Sequence, residues 1–152
     1  MSTRGAIARV NGDGFKGVYH HWDSYPDSLG ETLKRLHGEY FEGDTDAMLK
    51  FLIDDHPAGW STIIGKDLTR PCGYGSDGAE CYCHGSRKGS AQVVDDRNAG
   101  GCGCEYVYVF NDKNQMLVLS SYNGDGNKMV GMFGMGNRDA KWKIEEIINL
   151  DN

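Results

Sequence analysis

The sequence Asn11-Gly12-Asp13-Gly14 lies between two short apolar stretches and constrains the fold more than any other feature. Asn-Gly and Asp-Gly tolerate positive φ at the central turn positions, as two-residue hairpin turns require. Ile7 and Val10 precede the turn, and Phe15, Val18 and Tyr19 follow it. Two antiparallel strands are expected, at about residues 3–10 and 15–22. A lone hairpin is marginal in water, so the rest of the chain must extend this sheet or cover it.

Helical spacing follows. Leu29, Leu33, Leu36 and Tyr40 recur on one face. Ser28 and Glu31 have the spacing of a capping box, and Gly30 and Gly38 weaken the interior. Gly43-Asp44-Thr45 restarts the chain, and Met48, Leu49, Leu52 and Ile53 stripe a second helix that Pro57 stops. Trp60 to Ile64 reads as a short strand. The stretch 65–103 is rich in Gly, Asp, Ser and Cys and has little periodicity. A structureless loop of that length is uncommon, so a metal, a lid role or disorder is implied.

The last third is strand-like. Tyr106-Val107-Tyr108-Val109-Phe110 is aromatic and β-branched, Asn111 to Asn114 turns, and Met116-Leu117-Val118-Leu119 returns. A further turn at Asn123-Gly124-Asp125-Gly126 leads to 129–133. Trp142, Ile144, Glu146, Ile148 and Leu150 alternate as a half-buried strand. Segregated strands and helices predict a single α+β domain over 1–152. Its antiparallel sheet would combine the N-terminal hairpin with a C-terminal meander. Two helices would pack on one face, with 65–103 as an irregular insert.

Composition narrows the function classes. The 152 residues carry 22 acidic and 16 basic side chains, a formal net charge of -6. That balance argues against a dedicated nucleic-acid binder and against a polybasic membrane-surface protein. No apolar run approaches the length of a membrane span or a secretory leader, so a cytoplasmic protein is expected. The 5 Cys are an odd number, and in a reducing compartment clustered Cys point to metal or plain thiols.

Two constellations could carry chemistry. The first is Tyr19-His20-His21-Trp22-Asp23-Ser24-Tyr25-Pro26, where the second strand gives way to the first helix. Strand alternation sends His20 and Trp22 to one face and His21 to the other. Rings with adjacent polar tips make a good wall for a small planar molecule. Arg4 on the paired strand could bind phosphate or carboxylate bidentately. The candidate ligand-binding residues are therefore Arg4, His20, His21, Trp22, Asp23 and Tyr25. His21 and Asp23 could also do acid–base work, although no clear nucleophile stands beside them. The competing reading makes Trp22 and Tyr25 core and satisfies the histidines with backbone bonds.

The second constellation is Cys72, Cys81-Tyr82-Cys83-His84 and Cys102-Gly103-Cys104. Cys72, Cys81, Cys83 and His84 would make a structural Cys₃His zinc site inside the insert. The C-x-C spacing is tighter than the usual zinc pairs, and Cys102 or Cys104 could replace one member. Cys104 could instead be a small buried hydrophobe. Gly131, Gly134 and Gly136 lack the strand-then-helix setting of a dinucleotide fingerprint and read as turn glycines.

The stretches S-T-R-G-A-I-A-R and G-V-Y-H-H-W-D-S-Y-P-D-S-L-G resemble a family of small hypothetical proteins of phages and prokaryotes. Its members open with T-R-G and carry H-[FW]-D-[SG]-Y-P-x-x-L-G. The run C-E-Y-V-Y-V-F-N-D is similar to that family's later strand. The resemblance covers about a third of the chain and implies a phage or mobile-element protein in the host cytoplasm. Some relatives have Cys at the second position, which makes Ser2 a candidate N-terminal nucleophile. Three functions follow as expectations. The first is a binding module that holds a small anionic, nucleotide-like ligand and sequesters a host defence signal. The second is a hydrolase acting on a similar ligand through Ser2, or through His21 and Asp23. The third is a zinc-stabilised acidic inhibitor of a host defence protein. A homodimer is the expected assembly, since two-fold dimers are the commonest.

Overall fold

A computed structural model describes residues 3–12, 14–63, 79–82, 93–99, 102–121 and 142–150. Strands β1 (Arg4–Asn11) and β2 (Gly14–His20) form the expected hairpin, with Asn11 opposite Gly14 and Gly12 at φ 59°. Two helical segments follow. Pro26–Gly30, α1 (Glu31–Arg35) and Leu36–Tyr40 make the first, its outer stretches wound as wider π turns. The second is α2 (Thr45–Leu49) continued by a π turn over Lys50–Asp54. The Ser28–Glu31 capping box does not form. Pro26 opens the segment, where its missing N–H costs nothing, and Tyr25 is the cap residue without a side-chain bond. Asp44 does cap α2, accepting from the Ala47 N–H at 3.0 Å.

The remaining strands are β3 (Trp60–Ile63), β4 (Ala79–Cys81), β5 (Val93–Asp95), β6 (Cys104–Phe110), β7 (Gln115–Ser121) and β8 (Trp142–Asn149). The main path across the sheet is β4-β3-β2-β1-β6-β7-β8, and β5 also pairs with β2. The fold is α+β, as expected, and the sheet is open. It is mixed rather than wholly antiparallel: the hairpin meets the later strands through the parallel pair β1–β6, and β3 runs parallel to β2. The stretch expected to be irregular contributes β4 and β5 to the same sheet. Residues 122–141, which include the expected strand at 129–133 and the three turn glycines, lie outside the described residues.

Both faces of the sheet are buried. Ile7, Val18, Tyr108, Phe110, Met116 and Val118 meet Leu29, Leu33, Met48 and Leu52 of the helices. Ala6, Ala8, Phe15, Tyr19, Val107, Val109 and Leu119 form the opposite face with Val94, Ala99 and Trp142. Alternation along the strands therefore separates two apolar layers rather than core from solvent. Each fully buried Leu, Ile or Phe contributes about 1.5–3 kcal/mol relative to exposure. Trp60 ties β3 to the second helical segment within the helix-side layer, where its Nε1–H donates to the Leu52 carbonyl at 2.9 Å. No helix among the described residues is long and apolar enough to cross a membrane.

Candidate functional site

The aromatic and histidine cluster lies where β2 leaves the sheet. His21 and Trp22 continue alongside β3, their N–H groups donating to the Trp60 and Ser61 carbonyls at 3.0 Å each. Asp23 then adopts φ 55°, a left-handed conformation that Asp tolerates better than most residues. This turn carries Ser24 back across the start of β1, where its N–H donates to the Thr3 carbonyl at 2.9 Å. The backbones are so close that a Cβ at Gly5 would lie 2.6 Å from the Ser24 Cβ. The glycine of the Thr3-Arg4-Gly5 run is thus the place where this loop crosses.

His20 belongs to the interior, not to a pocket. It is 1% exposed, and its Nε2 accepts from the Ile63 N–H at 3.1 Å. In the neutral ring Nδ1 then carries the proton and donates to Ser24 Oγ at 2.8 Å. The Ser24 hydroxyl donates in turn to the His20 carbonyl at 3.2 Å. Burial, with a smaller contribution from His21, pushes the His20 pKa down to about 3. Ser24 and His20 are adjacent, but the proton order is wrong for a nucleophile and its base. The imidazole donates to the hydroxyl instead of accepting from it. The expected ligand role of His20 is corrected by this burial.

His21 has the opposite setting. Tyr19 and His21 share a face, and the Tyr19 hydroxyl lies 2.7 Å from His21 Nδ1. Burial pushes the Tyr19 pKa up to about 12, against the opposing influence of Arg4, so the phenol keeps its proton. Partial burial first, and Arg4 second, lower the His21 pKa and favour a neutral ring. Where Tyr19 donates to Nδ1, the proton of the neutral ring sits on Nε2. Arg4 is near enough for its charge to act on this ring.

Trp22 stands edge-on to His21 with ring centroids 4.7 Å apart, and it is 46% exposed. It does not follow His20, which is 1% exposed, into the interior. Tyr25 is also exposed, as is Asp23. Arg4 lies over the Cys102–Cys104 turn, its Nη1 3.0 Å from where a Gly103 Cβ would be. Gly103 has φ 83°, so both its conformation and its missing side chain suit this contact. Arg4 therefore lies near Tyr19 and His21, the His21 ring meets Trp22, and His20 is left out. Tyr19 was legible as the residue two before His21 on a strand.

Cys104 starts β6 and is 2% exposed, a small buried hydrophobe. Burial, then the neighbouring Cys102, push its thiol up to about 12 despite Arg4 nearby, which keeps it protonated. Cys81 is buried in β4. Of the expected zinc set, Cys72, Cys83 and His84 lie outside the described residues, and so does Ser2. Among the described residues, no three His, Cys, Asp or Glu side chains gather around a point that could hold a metal ion. Comparison with protein-family models, curated proteins and solved structures finds no match to the chain.

Proposed function

We propose that the chain is a binding module for a small anion carrying a planar group, of nucleotide-like chemistry, held by Arg4, His21 and Trp22. One observation carries the reading: at a braced corner an imidazole held neutral lies near the Arg4 cation and in edge contact with an exposed tryptophan ring. Arg4 supplies a fork of donors suited to phosphate or carboxylate. Stacking of a base on an aromatic ring contributes about 1–3 kcal/mol and tolerates different bases. The Tyr19 hydroxyl holds the imidazole in place beforehand, which lowers the ordering cost of binding. In the setting that the sequence resemblance implies, the ligand would be a defence signal of the host, sequestered rather than consumed.

Adenosine monophosphate is a suitable first probe. Trp60 and Trp142 are buried, so quenching by ligand should come from Trp22 and vanish in Trp22→Phe. Arg4→Ala should weaken binding about tenfold to a hundredfold, the loss of one charge-assisted contact. The nucleotide should be recovered unchanged after long incubation. Failure of mono- and dinucleotides to quench at millimolar concentration, or quenching indifferent to Arg4→Ala, overturns the reading. Turnover of the probe would instead favour the hydrolase.

A further inference from the structure

A concave site lies on the helix-side face of the sheet, at the hairpin end of β1 and β2. It encloses about 400 Å³ and is lined by Arg9, Lys16, Val18, Ile53, Pro57 and Val93, among others. That volume falls within the range of small-molecule pockets. The register sets Arg9 directly opposite Lys16. Like charges facing each other across a strand pair are unfavourable unless something neutralises them. Asp54 does so for Arg9 alone, through contacts of 2.8 and 3.2 Å to its two carboxylate oxygens. On its other side Lys16 faces Asp95 in register, but one Asp95 oxygen accepts from the Arg97 and Asn98 N–H groups of its own turn. Lys16 makes no ion pair among the described residues. The groove thus holds one cation, Lys16, with no carboxylate in direct contact among the described residues, above an apolar floor, and Val93 leaves 46% of its surface uncovered there.

We propose that this groove binds a small organic monoanion, a carboxylate with an apolar body. The carboxylate sits between Lys16 and the outer edge of the Arg9 guanidinium. The apolar body covers Val18, Ile53, Pro57 and Val93. Lys16 offers one positive charge free of direct carboxylate contact among the described residues, and Asp54 and Asp95 would both repel the second negative charge of a phosphate dianion, which favours a monoanion. The site is separate from the corner at Arg4 and His21, which belongs to the other end of β1.

The test titrates phenylacetate into the full chain and follows backbone amide NMR shifts, with 2-phenylethanol as the neutral counterpart. Saturable shifts at Gly17, Val18 and Val93 are expected, with the alcohol binding at least about tenfold more weakly. Lys16→Ala should weaken phenylacetate to the level of the alcohol and leave the alcohol unchanged. Equal binding of acid and alcohol, or binding indifferent to Lys16→Ala, overturns the proposal. Shifts confined to His21 and Trp22 overturn it too and assign the acid to the first site. Lys16 is exposed, so the variant should fold, and an unchanged amide spectrum elsewhere checks this.

Discussion

Adjacent histidines of the same type end with unlike chemistry because a strand sends successive side chains to opposite faces. His20 enters the helix-side layer and has both ring nitrogens engaged, whereas His21 meets Tyr19 and Arg4 near solvent. The His20 environment has a pH consequence. Its folded pKa is about 3, below the ordinary 6.5 of the unfolded chain. Between those values the unfolded state binds a proton that the folded state refuses. Stability is therefore highest above pH 6.5, falls as pH drops towards 3, and levels off below. Urea melts across this window should show a steeper fall for the natural chain than for His20→Gln. Parallel slopes would mean that His20 is not held neutral. The substitution should also cost about 1–3 kcal/mol at neutral pH, since one amide cannot reproduce both ring contacts, to the Ile63 N–H and to the Ser24 hydroxyl.

At the scale of elements, β8 shows how one inserted residue redirects a strand. Val118 pairs with Glu146 and Leu119 with Ile144, so Glu145 is extra and forms a bulge. Trp142 and Ile144 pack on the face opposite the helices, while Ile148 and Leu150 pack on the helix side. The even-numbered residues looked like one stripe, but the bulge reverses the parity halfway. The Ser120 hydroxyl donates to the Glu145 carboxylate and anchors it there. Deleting Glu145 should force one pair of apolar residues out of its layer and cost about 2–4 kcal/mol in a urea melt. Glu145→Ala, which keeps the residue count, should cost under about 1 kcal/mol. Similar losses for both variants would show that the anchor matters and the parity does not.

Over the whole molecule, the β1–β6 ladder joins the hairpin to the later strands, and side-chain ties between distant residues reinforce it. The Tyr108 hydroxyl donates to the Ser24 carbonyl at 2.6 Å, linking the centre of β6 to the corner that follows β2. Gly30 makes room beneath it, since a Cβ there would come within 3.3 Å of the Tyr108 ring. Gly30 weakens a helix locally and permits a contact that the helix alone does not reveal. Tyr108→Phe should lower stability by about 1–2 kcal/mol, because the Ser24 carbonyl stays buried without its partner. Calorimetry on the two proteins checks this, and equal melting temperatures would show that another donor replaces the hydroxyl.

The hairpin, both helical stripes and the strands at Trp60, Tyr106 and Met116 were legible in residue order. Turn chemistry and apolar periodicity are local, and local spacing specifies a local element. The nearness of Arg4 to the end of β2 was legible too, because a hairpin places the start of β1 beside the end of β2. The parallel union of β1 with β6 was not legible, nor were the strands within 65–103 or the reversal at Glu145. Each depends on partners distant in the chain, and pairing direction leaves no mark on a strand's own alternation. The division of labour between His20 and His21 required tertiary structure for the same reason. Strand parity separates the two rings, but only packing decides which face is sealed and which is open.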